Sequence, residues 1–378
     1  MKSKLSERLK VLKISTDSLA GKTSLSRQRA GEIIDGAKAS VSEIRDICSG
    51  LRLPIQIFSE SESRQAYSEL APLFRSVRAS SDDYDITVER ISIFVEASLE
   101  ILPKRTCLPD WLNLFPHVEK TYEAADGLSK IARALIYPGD LDGPITDLGE
   151  ALGNLDGIIV STLGFSRYEG VSLIAGNYCF IFVSPRFSGR MLFTLAHEFG
   201  HLVSDHSGEQ FARFEKAKQI GSFGENSRTE AFVDAFASCL LIPDTGLGKF
   251  LALAREHLDL TTESINDRDI LLIARFFGVS FEVAGLRLEN LNLLKPGVTF
   301  ALADYLRREF KSAEKRADLL GISPRESIAI PAISPQLSKA LLAALKDGNV
   351  SIGWASNNFG YSIGEIFAEQ AKAHIGLL

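Results

Sequence analysis

Apolar positions recur at helical spacing over most of this chain, and a strand-like pattern breaks in at only one stretch. Residues 1–58 read as four or five short helices. Leu5–Lys13 is amphipathic, Ser15-Thr16-Asp17-Ser18 marks a second helix start, and Ser24-Leu25-Ser26 marks a third that ends near Asp35-Gly36. Val41–Leu51 follows and stops before Pro54. The spacing predicts further helices over Arg64–Val77 and Ile86–Leu102. Prolines 103, 109 and 116 then break the chain before Val118–Ile136, and Ile145–Leu152 suits a short helix. Residues 156–184 change character. Gly157–Ser161 reads as a buried strand, and Val171–Ile174 and Tyr178–Ser184 are β-rich runs joined by the hairpin signal Ala175-Gly176-Asn177. Helical spacing returns over Arg190–Ser204, Thr229–Leu241, Phe250–His257, Asp267–Phe277 and Phe281–Leu291, and residues 296–378 are mostly helical. The expected fold is mainly α with a small β-sheet (α+β). The expected divisions are 1–58, 59–120, 121–294 and 295–378.

Composition narrows the class. The chain has 378 residues, 45% hydrophobic and 24% charged, which is the profile of a globular protein with ample core. The N-terminal run MKSKLSERLKVLKIS has no apolar stretch of the signal-peptide kind, and no segment approaches the roughly 18 apolar residues of a membrane span. Four widely spaced Cys with no CxxC argue against a disulfide framework or a thiolate zinc site. Together these features predict a cytoplasmic protein with no membrane partner. Net charge is −6, but it is unevenly spread. Residues 1–58 hold 11 basic and 6 acidic side chains, net +5, and the remainder is −11. The overall acidity therefore does not exclude DNA binding by the first segment.

The chemistry concentrates in Phe193-Thr194-Leu195-Ala196-His197-Glu198-Phe199-Gly200-His201-Leu202-Val203, which contains HExxH. Four residues is slightly more than one helical turn, so His197 and His201 share a face and can grip one Zn2+, while Glu198 can act as general base toward water. The other reading is a buried helix whose two imidazoles are satisfied by ordinary hydrogen bonds. Hydrolytic zinc needs a third protein ligand. His206 is the nearest candidate, but it follows His201 by five residues with no intervening Gly, unlike the metzincin pattern. Glu230 is the better candidate. Glu230 and Asp234 share one face of a helix, so Asp234 can accept the outward N–H of a ligating His and fix its tautomer. This is the ExxxD arrangement of gluzincin-type proteases; the bland alternative is an exposed acidic stripe. Tyr178–Ser184 is expected to present a sheet edge to which an extended substrate adds, or else to be a plain core strand. Tyr168 and Tyr178 are candidate oxyanion donors.

These residues resemble the ImmA/IrrE-like zinc metallopeptidases. The matching words are Phe193 to Leu202, Glu230 to Ala237 and Leu240-Leu241-Ile242-Pro243. They are flanked by Gly143 to Leu148, Gly157 to Val160, Leu271 to Ser280 and Leu286 to Glu289. The resemblance covers roughly residues 121–294 and implies a zincin-like core with Glu230 as third ligand. Asp234 stands where Asn is more usual, and Asp can also orient a His. The first segment resembles an XRE-type helix-turn-helix through Ile14 to Ala20, Leu25-Ser26-Arg27, Ile33, Gly36 and Pro54. In that fold the helix from Ser26 enters the major groove, and Arg27, Gln28 and Arg29 reach bases or phosphates. Ser24 replaces the usual turn Gly, and Gly31 lies inside the proposed recognition helix.

The resemblance implies site-specific cleavage of an XRE-type repressor in a stress or mobile-element response. The rival readings are a DNA-binding regulator whose peptidase domain only senses or scaffolds, and an antitoxin-type binding module. Regions 59–120 and 296–378 lie outside both resemblances and are assigned to sensing, homodimer formation or substrate holding.

Overall fold

Serine side chains set many of the helix starts in the computed structural model, which describes residues 4–11, 14–51, 86–162, 166, 168–205, 211–216, 227–257, 265–324, 334–360 and 364. The expected helix Arg64–Val77, Pro54 and His206 lie outside these residues. Ser15 Oγ accepts the Ser18 N–H and Ser26 Oγ accepts the Arg29 N–H, opening α2 (Thr16–Lys22) and α3 (Arg27–Asp35). With α1 (Lys4–Val11) and α4 (Val41–Leu51) they enclose Leu5, Leu9, Leu19, Ala30, Ile33 and Ile47. Gly36 ends α3 at φ 117°, a left-handed cap that a side chain would strain.

The chain forms two compact units. One comprises residues 1–106, 210–212 and 335–378, and the other comprises 107–209 and 213–334. In the first, α5 (Ile86–Ile101) carries Phe94, whose ring meets Phe359 edge-on at 5.1 Å.

The second unit is built around a four-stranded sheet with order β1-β3-β2-β4. Helices α6 (Tyr122–Ile136) and α7 (Leu148–Gly153) precede β1 (Ile158–Thr162), β2 (Tyr168–Ala175) and β3 (Tyr178–Val183). β2 and β3 form the expected antiparallel hairpin with Ala175 opposite Tyr178. Its two loop residues, Gly176 and Asn177, both have positive φ, as a type I′ turn requires. β1 runs parallel to β3. The long α8 (Ser188–Asp205) packs on β2 and β3, and β4 (Phe211–Lys216) follows it. Next come α9 (Arg228–Leu241), α10 (Asp244–His257), α11 (Asp267–Phe277), α12 (Phe281–Asn290), α13 (Val298–Phe310) and α14 (Ala313–Leu319). Helices α15 (Pro335–Lys346) and α16 (Ile352–Phe359) pack on α5 in the first unit. The fold is mainly α with a small mixed sheet. Among the described residues, no single helix is long and apolar enough to cross a membrane.

β4 was not anticipated, because Phe-Ala-Arg-Phe-Glu-Lys has too few apolar positions to read as a buried strand. β3 is also not an edge. It pairs with β1 on one side and β2 on the other, so its backbone offers no free row of groups to a substrate. Its uninterrupted apolar run, buried at every position, is the pattern of a central strand.

α8 and α9 approach each other at Gly200. A Cβ there would lie 2.9 Å from the Phe236 ring and 3.3 Å from the Val233 Cβ. Both neighbours are buried core. Gly200→Leu is therefore expected to destabilise the protein by about 1–3 kcal/mol through overpacking. A urea midpoint unchanged from wild type would contradict this close approach.

Candidate metal centre

The apolar face of α8 buries its polar residues along with it. His197, Glu198 and His201 have no solvent exposure, and neither does Asp234 on α9. Buried polar side chains of this kind need partners, and the two helices supply them to one another. Ser227 Oγ accepts the Glu230 N–H at 3.3 Å, which starts α9 with Glu230 in its first turn. A carboxylate is favoured there by the helix dipole. Gly200 allows α9 close enough for Glu230 and Asp234, one turn apart, to meet the imidazoles of α8.

Three ligand atoms converge. His197 Nε2 lies 3.2 Å from His201 Nε2 and 3.3 Å from Glu230 Oε2, and His201 Nε2 lies 3.6 Å from Glu230 Oε2. Among the described residues, His197, His201 and Glu230 form a group that could hold a metal ion. Donors about 2.0–2.2 Å from a tetrahedral ion sit about 3.3–3.6 Å from one another, so these separations suit zinc without rearrangement. Asp234 Oδ1 lies 2.8 Å from His197 Nδ1. A carboxylate can only accept, so Nδ1 carries a proton, and in the neutral ring, the form that can bind a metal, Nε2 turns its lone pair to the cluster.

Electrostatics support the same fit. Burial opposes charging of His197, but the Asp234 and Glu230 carboxylates outweigh it and raise its pKa to about 10. Burial opposes charging of His201 too, and Asp205 and Glu230 raise its pKa. Burial likewise disfavours ionised Glu230, yet the two imidazoles close to its Oε2 hold its carboxyl well below the usual range. The cluster thus holds positive charge beside its carboxylates, a place a divalent cation can take when the protons leave.

Asp205 was missed in the sequence. It ends α8, with Oδ2 3.6 Å from His201 Nδ1. Lys120 Nζ meets its Oδ1 at 2.8 Å and Arg213 Nη2 meets its Oδ2 at 2.9 Å. Burial opposes its ionisation, but His201, Lys120 and Arg213 lower its pKa. The signal was present: His201 and Asp205 are four residues apart on one helix. Arg213 on β4 was also missed, and its Nη1 lies 3.9 Å from Glu230 Oε1.

The structure also places the other expected residues. Tyr178 pairs with Ala175 at the hairpin end of β3, while β2 approaches Glu198 at Gly170, five register positions away. At about 3.3 Å per residue, Tyr178 is too far from Glu198 to act beside it. Tyr168 is buried, with its ring 5.2 Å from that of Phe214. On α3, Arg27 is exposed and meets Asp17 at 2.8 Å, and Gln28 donates to Glu32. Arg29 is committed within its own unit. It donates to Glu43 at 2.7 and 3.1 Å, to Glu32 at 3.0 Å and to the Lys38 carbonyl at 2.9 Å. Hydrogen bonding to Arg29 lowers the Glu43 pKa to about 2.

Residues 164–289 match the family model of the IrrE N-terminal-like domain of the M78 peptidases, a metallopeptidase family. The match spans α8 and α9, and with them His197, Glu198, His201 and Glu230. No curated protein matches the chain.

Proposed function

We propose that this protein is a cytoplasmic zinc-dependent endopeptidase and transcriptional regulator that cuts an XRE-type repressor at a specific site. The observation that carries this reading is the convergence of His197, His201 and Glu230 beside Glu198. His197, His201 and Glu230 would hold the ion, in the His2Glu set used by hydrolytic zinc sites. Zinc bound there supplies Lewis acidity, which polarises a peptide carbonyl and makes water acidic near neutral pH. Glu198 accepts a proton as water adds to the carbonyl carbon, then passes it to the leaving amine as the C–N bond breaks. Asp234 keeps His197 in the tautomer that offers Nε2. Asp234→Ala is accordingly expected to weaken zinc binding about 10–100-fold, read by competition with a chromogenic chelator.

The four cysteines are separate thiols, which suits a reducing compartment. For DNA contact, the supporting observation is the exposed first turn of α3, where Arg27 and Gln28 follow the Ser26 cap. Arg27 would exchange Asp17 for a phosphate or base edge, and Arg27→Ala would weaken operator binding.

Co-expression with XRE-type repressors encoded nearby tests the reading. Fragments of one repressor are expected with wild type and none with His197→Ala. Intact repressors in both, or equal cleavage in both, would overturn it. In the second case, a non-proteolytic regulator would be the better account.

A further inference from the structure

Gly170 is buried in β2, opposite Val183 of β3. Its φ is not positive, so the backbone there does not call for glycine. A glycine inside a strand loses packing and ordering entropy, and its presence points to close approach by another group. The approaching group is Glu198. A Cβ built at residue 170 would lie 2.7 Å from both the Cγ and the Cδ of Glu198, and closer still to its Oε1. The three nearest atoms all belong to that one side chain. Glu198 is completely buried, so it cannot swing into solvent to escape.

We propose that Gly170 is a positioning residue for Glu198, its missing side chain leaving the space in which the glutamate carboxylate rests against β2. The inference rests on the role of Glu198 proposed above. It explains why β2, otherwise filled with Val171, Leu173 and Ile174, carries no side chain at this one position. A methyl group at 170 displaces the carboxylate from where it takes and returns the proton. The metal ligands, which sit on α8 and α9, are left where they are. Small displacements of a catalytic group are costly because proton transfer requires hydrogen-bond reach.

The test combines stability and activity in four proteins: wild type, Gly170→Ala, Glu198→Ala and the double variant. Gly170→Ala is expected to lower the melting temperature of the wild-type chain. It should leave the melting temperature of the Glu198→Ala protein unchanged or raised, because removal of the glutamate opens the space. On the repressor cut in co-expression, Gly170→Ala is expected to lower kcat by about 100-fold or more, with KM and zinc content unchanged. A purely structural glycine would instead lower stability equally in both backgrounds, and that result overturns the proposal. Full kcat in Gly170→Ala overturns it as well. If Gly170→Ala alone does not fold, recovery of the fold in the double variant supports the proposal and failure to recover contradicts it. The stability cycle needs no substrate, so it stands even if Glu198→Gln proves fully active and the peptidase reading falls.

Discussion

Glu198→Gln is expected to lower kcat for repressor cleavage by about 10²–10⁴-fold while the protein keeps its metal and its fold. Glutamine matches glutamate in shape and fits the same buried space between α8 and β2. It cannot accept a proton at neutral pH, so the step that converts water into a nucleophile loses its base. The three ligand atoms belong to other residues, so zinc content is unaffected. Because the amide keeps the same volume in that space, the stability of the variant should stay close to that of wild type. The measurement is a single-turnover cleavage time course with parallel elemental analysis. Cleavage at the wild-type rate would remove Glu198 from the chemistry. Loss of zinc along with activity would mean that Glu198 acts on the site's assembly instead.

Phe199→Ala is expected to destabilise the second unit by about 3–5 kcal/mol, the usual cost of removing a buried aromatic ring. Phe199 is fully buried and lies between Glu198 and Gly200 in the chain. Its ring lies 5.9 Å from Trp111, 6.3 Å from Phe115 and 6.0 Å from Phe236. The Trp111 ring is itself tethered by a hydrogen bond from Nε1 to the Asp156 carbonyl at 2.8 Å, so it is poorly placed to fill the void. Phe199 thus ties α8 to α9 and to the segment before α6, on the far side of the helix from the ligands. Phe199→Leu keeps most of the volume and is expected to cost less than half as much. Denaturant unfolding followed by Trp fluorescence reads both. Equal midpoints for wild type and Phe199→Ala would show that this aromatic cluster does not hold the helices together.

The parts of the site that share a helix were legible in the sequence. That His197 and His201 share one helix face follows from spacing, as it does for Glu230 and Asp234, because four residues return to the same face whatever the surroundings. The hairpin was legible because Gly176 and Asn177 adopt positive φ readily. Contacts between elements were harder to read. Nothing local in Phe-Ala-Arg-Phe-Glu-Lys announces β4, whose order beside β2 is set by tertiary pairing. The same holds for Arg213, whose partners Asp205 and Glu230 lie on two other elements. For β3 the sequence left a sheet edge and a core strand both open, and its apolar run, the signature of a strand buried on both faces, belongs to the second. Asp205 carries a local signal, its i,i+4 relation to His201, but its ion pairs with Lys120 and Arg213 come from distant elements. Gly170 could not have been read from sequence, since its only argument is the side chain it faces.

The central claim is that His197, His201 and Glu230 hold a zinc ion. Elemental analysis of the purified full-length protein tests it most directly. About one zinc per chain is expected in wild type, retained in Glu198→Gln and lost from His201→Ala and Glu230→Ala. Wild-type protein without zinc after purification and zinc reconstitution, or a full complement in the two ligand variants, would contradict the account.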